Sequence, residues 1–177
     1  IDTTGAVSGL TQLNANSLVQ FGFTAPTTQR FNAVEVNSHW LYAMGANVST
    51  QIGDVTLNVA NNRIGHLGIT SDISSAADIN VTGNNFHVLN ASTVTAAGAI
   101  DVDTNTVVLD GDLDAASISG TATTVTVNSD DFVQNEQIQD GIDVAAAGAT
   151  VNIGAGTYAE GNINIDKNLL ISGAGKN

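Results

Sequence analysis

The sequence predicts an all-β solenoid, a parallel β-helix with coils of about 21–26 residues, carrying one short amphipathic helix near 135–147. Three observations carry that prediction. The composition favours strands and turns over helices. One strand pattern recurs through the middle of the chain. A single stretch breaks that pattern with helical spacing.

Composition comes first. The chain has 177 residues, 42% of them hydrophobic and only 12% charged, so it can bury a core and should fold. Thr, Val and Ile favour strands, while Asn and the 18 Gly favour turns. The charged straight-chain helix formers are scarce. Four Lys and Arg stand against 17 Asp and Glu, a formal net charge of −13. Phosphate binding needs clustered cations, so nucleic acid is excluded as a partner. The same charge argues against an anionic membrane surface. There is no Cys, which removes disulfides, zinc-thiolate sites and thiol nucleophiles together. No apolar run approaches the roughly 20 residues of a membrane span, so no membrane insertion is expected. The sequence opens at Ile1 with no signal peptide, and both ends read as cut from something longer.

The repeat is an apolar residue, a polar one, Val, two variable positions, Asn or Asp, a variable position and another apolar residue. It reads Leu57-Asn58-Val59 to Ile64, Ile79-Asn80-Val81 to Phe86, Ile100-Asp101-Val102 to Val107, and Val125-Thr126-Val127 to Phe132. Looser copies begin at Val34 and Val151, which makes the steps 23, 22, 21, 25 and 26 residues. Alternation with period 2 turns the first and third positions inward. The predicted inward columns are Val59/Val81/Val102/Val127 and Ile64/Phe86/Val107/Phe132. Asn tolerates corner backbone angles, and Asn62, Asn84 and Asn105 are expected to stack as an amide ladder. Leucine-rich repeats are excluded, since their Leu ladder is missing. A β-sandwich is the remaining alternative, although two-residue hairpin signals are scarce.

Residues 1–44 form an irregular, aromatic-rich start or cap, with Phe21, Phe23, Phe31, Trp40 and Tyr42 close together. Residues 45–133 are the repeats. In residues 134–177 a helix comes first. Ile138, Ile142 and Ala145/Ala146 fall on one helical face, Asn135 can cap the start and Gly148 the end.

The run from Ile138 to Glu160, with its Gly156-Thr157-Tyr158, followed by Lys167, Leu169, Ile171 and Gly173 at alternate positions, resembles the opening of a pectate-lyase-like right-handed parallel β-helix. In that superfamily a capping helix precedes the first coil. Residues 45–130 resemble the degenerate Asn/Thr/Ala/Gly/Val repeats of filamentous-haemagglutinin-like adhesins. The two resemblances together imply a right-handed coil and a non-enzymatic structural segment of a large secreted bacterial surface adhesin or extracellular fibre. The fold alone also serves polysaccharide lyases, epimerases and phage tailspikes, so a fragment of one of those is the alternative. The expected location is extracellular or the bacterial cell surface. The expected partners are a second copy stacked end to end and a host surface or polysaccharide.

The resemblance implies what an enzyme would need: acidic residues on one sheet face, often holding calcium, with Arg or Lys as base. Arg63 lies on the strand pattern, and Asp101 and Asp103 follow two coils on, roughly 10 Å away at about 4.8 Å per coil. Outward Asp residues on a solenoid are ordinarily solubilising, so no catalytic residue is expected. Asp110, Asp112 and Asp114 are the densest acidic cluster, and alternation would put their oxygens on one side as calcium ligands. No other cofactor is expected. His39, His66 and His87 have no metal-ligand spacing, and the Gly154/Gly156 and Gly173/Gly175 pairs open no helix that would cradle phosphate.

Overall fold

The fold is seen in a computed structural model that describes residues 12–14, 18–21, 27–31, 33–43, 46–65, 71–129 and 137–174. In chain order these form β1 (Gln12–Asn14), β2 (Leu18–Phe21), β3 (Thr27–Phe31), β4 (Val34–Ala43), β5 (Ala46–Thr50), β6 (Val55–Ile64) and β7 (Ile73–Ser75). Then come β8 (Ile79–Val88), β9 (Thr93–Leu109), β10 (Asp112–Gly120), β11 (Ala122–Val127), α1 (Gln137–Asp143), β12 (Ala145–Ile153) and β13 (Leu170–Gly173). Every strand pairing is parallel, and each strand pairs with the strand one coil away. The chain is a parallel β-helix, as the repeat predicts.

The pairings sort into three ladders. The first runs β3, β5, β7, the start of β9, then β10. The second joins β1 and the first halves of β4, β6 and β8 to the middle of β9 and the end of β10. The third joins β2 and the second halves of β4, β6 and β8 to the end of β9, then β11, β12 and β13. Strand β9 turns through all three. Parallel pairing passes from β4 to β6 and from β11 to β12, across positions 44/45 and 133/134.

Alternate residues of β6, β7, β8, β9 and β11 fill the interior, and β-branched Val and Ile suit that pleated, close-stacked surface. The second ladder aligns Val36, Leu57, Val81 and Val102. The third aligns Ile64, Val88, Leu109 and Val127 in one column and Leu41, Asn62, Phe86, Val107, Val125 and Val151 in the next. Burying each such apolar side chain contributes on the order of 1.5–3 kcal/mol.

These columns differ from the expected ones in two places. Val59 and Ile64 are buried, yet Leu57 and Asn62 are the residues beside Val81 and Phe86. Val127 pairs with Leu109 on the third ladder instead of following Val102, and Phe132 lies outside the described residues. The steps down the third ladder from Leu41 to Ile171 are 21, 24, 21, 18, 26 and 20 residues. The 18-residue coil shifts the phase, because β10 reaches the second ladder with a register shift after Ala115.

The helix is shorter than its sequence pattern. It ends at Asp143, and Ala145 and Ala146 already belong to β12. Gly148 adopts a left-handed φ of 85° within β12 instead of ending the helix. The expected cap residue Asn135 lies outside the described residues; Glu160 Oε1 accepts the Ile138 amide at 2.6 Å. In its coil α1 takes the sequence place of a first-ladder strand, and it packs on β10, β11 and β12. Ile142 is fully buried there.

Candidate functional site

Three clusters of polar side chains are the places where chemistry could reside. The first is the outer surface of the second and third ladders. Stacked coils bring like positions of successive strands within reach, so outward side chains bond to one another along the axis. Asn58 Nδ2 donates to Asn37 Oδ1 at 2.8 Å, and Thr82 Oγ1 donates to Asn58 Oδ1 at 2.9 Å. Asn85 Nδ2 donates to Asn61 Oδ1 at 2.5 Å, and Asn105 Nδ2 to Asn84 Oδ1 at 3.2 Å. The expected amide ladder therefore exists between Asn84 and Asn105. Its third member differs: Asn62 is 2% exposed and donates inward to the Val59 carbonyl at 3.0 Å, while its neighbour Asn61 faces out.

Asp101 and Asp103 accept from Ser119 and Thr121 on the second ladder, at 2.8 and 2.9 Å. Arg63 lies on the third ladder, in register with His87. The fold thus puts that base and those acids on different ladders. Trp40 is exposed, with the His39 ring edge-on to it at 5.7 Å between centroids. The side chains of Phe21, Phe31 and Tyr42, and Phe23 and His66 altogether, lie outside the described residues.

The second cluster surrounds Asp110, at the turn after β9. Its Oδ2 sits 2.6 Å from His87 Nε2, and Asn128 Nδ2 donates to its Oδ1 at 2.6 Å. Partial burial pushes the Asp110 carboxyl up, but the hydrogen bonds from His87 and Asn128 and the charges of His87 and Arg63 outweigh it and hold it below the usual value. The pair adds stability above the carboxyl's ordinary titration range, and that stability is lost as pH falls through its lowered one. Both side chains are more than a quarter exposed, so the contribution is small.

The third cluster is internal. Asp112, the first residue of β10, and Asp140, in α1, are both buried. Gln137 Nε2 beside them donates to the Gly111 carbonyl at 3.3 Å.

The expected calcium set is not brought together. Asp110 is half-buried against His87, Asp112 is buried at the start of β10 and Asp114 is exposed on the same strand. Asp110 stands in the bend before β10, off the strand that carries Asp112 and Asp114. Among the described residues no group of three or more His, Asp or Glu is placed to hold a metal ion. No helix among the described residues is long and apolar enough to cross a membrane. Asp140 gave no signal in the sequence, since helical spacing placed it away from the Ile138/Ile142 face. A seven-residue helix seated on three strands covers more than one face, and this one buries Gln137, Asp140, Gly141 and Ile142.

The chain matches no protein-family model, no curated protein and no solved structure.

Proposed function

We propose that the chain is a non-enzymatic, rod-forming segment of a secreted bacterial surface adhesin or extracellular fibre. The observation that carries this reading is the parallel stack of coils, in which outward polar groups of the described residues bond to one another along the axis. Solenoid coils contact only their neighbours, so such a stack supplies length and rigidity. The net charge of −13 favours solubility and opposes lateral association. The rung that carries β13 offers a stacking surface. Ile171 continues the core column of Val125 and Val151, yet it and Ile163, Ile165 and Leu170 are exposed. An apolar rung of this kind is a template for another coil, from the same chain or from a second copy. Stacking a second copy there gives a head-to-tail fibre.

Light scattering across a concentration series, with electron microscopy of the same samples, tests this reading. Linear particles that lengthen with concentration are expected, and Ile171→Asp should shorten them. Compact particles at every concentration would contradict end-to-end association. A stable trimer would favour a tailspike, and unsaturated products from an acidic polysaccharide would favour a lyase.

A further inference from the structure

Carboxylates are spread unevenly around the stack. The outer surface of the second ladder carries Glu35, Asp101 and Asp103, and that of the first carries Asp114. Among the described residues, the outward positions of the third ladder from Trp40 to Ser172 carry none, in a chain with 17 Asp and Glu. Arg63 and His87 stand there instead, on adjacent coils. Asp110 lies at the margin, in the bend after β9, and is engaged by His87 and Asn128. The middle of the face is a block of β-branched side chains in register across three coils: Thr106 and Val108 on β9, Thr124 and Thr126 on β11, and Thr150 on β12. All five are half-buried. Thr and Val have the same shape, so the surface is low in relief. Exposed Trp40 and Leu170 stand in the Thr106 column at its two ends.

We propose that this outer face of the third ladder docks a second copy of the chain, face to face, with the two stacks antiparallel. Two chains of net charge −13 repel one another, and least across faces that hold no carboxyl. A β-branched surface of this kind is what packed sheets present to each other. Arg63 sets the direction. In parallel stacks the two guanidinium groups would meet at the same height. In antiparallel stacks centred on the Thr106 rung they lie about 19 Å apart along the axis, at about 4.8 Å per coil, beyond the Debye length of about 10 Å at 0.1 M salt. The contact is small. Seven rungs of four residues make a face of roughly 30 by 13 Å. That is about half of what each partner of a standard stable complex buries, so a single pair is a weak dimer. The pairing does not depend on end-to-end stacking. Where copies also stack as proposed above, the weak contact repeats along both rods and tightens through multivalency.

Sedimentation equilibrium of the Ile171→Asp protein, from micromolar to millimolar concentration, tests the pairing with end-to-end growth suppressed. If end-to-end growth does not exist, the wild type gives the same result, so the two readings fail separately. A monomer–dimer equilibrium is expected. The emission of Trp40, the only Trp of the chain, should move to shorter wavelength as the dimer forms. Thr106→Asp brings a carboxyl from each copy to the centre of the contact and should weaken the dimer at least about tenfold, with partial recovery at about 1 M salt. Thr126→Asp should do the same if the first variant does not fold. Ser74→Asp adds the same charge on the first ladder, at a half-buried position between buried Ile73 and Ser75, and should leave the dimer within about twofold. A monomer at every concentration would overturn the proposal; if a neutral glucan then shifts the Trp40 emission, the face takes a glycan instead. Equal weakening by Thr106→Asp and Ser74→Asp would also overturn it, because the contact would then lie elsewhere.

Discussion

Val81→Asp is expected to unfold the coils built on β6, β8 and β9. Val81 is 1% exposed and lies between Leu57 and Val102. The substitution forfeits the burial of Val, on the order of 1.5–3 kcal/mol, and leaves a carboxyl among side chains with nothing to pair it. The combined cost exceeds about 5 kcal/mol, which rivals the whole stability of an ordinary domain. Coils interact only with neighbours, so the damage should spread from the middle outward. Circular dichroism should show lost strand signal or a steep fall in melting temperature at neutral pH. Partial recovery in acid should follow, because the introduced carboxyl is less costly when protonated. A variant that melts like the wild type would contradict the inward register of β8.

Gly83→Ala is expected to be the most damaging single-methyl change. A Cβ at Gly83 would lie 1.9 Å from the Val59 carbonyl oxygen and 2.9 Å from its carbon, so it meets backbone and not a side chain that can swing away. The Val59 oxygen is also held by the Asn62 amide at 3.0 Å. The bend between the second and third ladders is thereby pinned from inside one coil and pressed against the next. Relief requires the two coils to separate, and about 3 kcal/mol, the upper end of overpacking costs, is expected. Chemical denaturation read by circular dichroism checks this. Ala at Gly161, where a Cβ would meet nothing within 4 Å, should be close to neutral.

The bend also explains what the sequence could and could not reveal. Period-2 alternation identified the buried residues, because a slip of two positions preserves which side faces in. It did not identify the columns. From the second ladder to the third the inward residues run Val36 to Leu41, Val81 to Phe86 and Val102 to Val107, a constant separation of five. In β6 the same separation leads from Leu57 to Asn62. A reading that demands an apolar residue inside passes over Asn62 and chooses Ile64, which moves the whole coil by two. Asn62 belongs inside because its amide satisfies the Val59 carbonyl, a backbone need that composition does not display. The 18-residue coil is the other hidden feature: length alone does not say which ladder a strand joins.

The polar clusters were legible unevenly. The Asn84–Asn105 contact follows from the repeat itself. The environments of Asp110, Asp112 and Asp114 do not: Asp110 lies in the bend before β10, and on the strand itself the packing buries Asp112 and leaves Asp114 exposed.

Engineered disulfides test the stacking of coils most directly, in a chain that has no Cys of its own. Asn61 and Asn85 are register partners on adjacent coils, so their Cα atoms fall within the range of roughly 4.4–6.8 Å that a disulfide spans. Thr106 is the partner of Asn85 one coil further on, about twice the strand spacing from Asn61. Mild oxidation of the folded monomer should cross-link the Asn61→Cys/Asn85→Cys protein within one chain and leave the Asn61→Cys/Thr106→Cys protein reduced. Equal cross-linking of both pairs, or of the second alone, would contradict the coil stack.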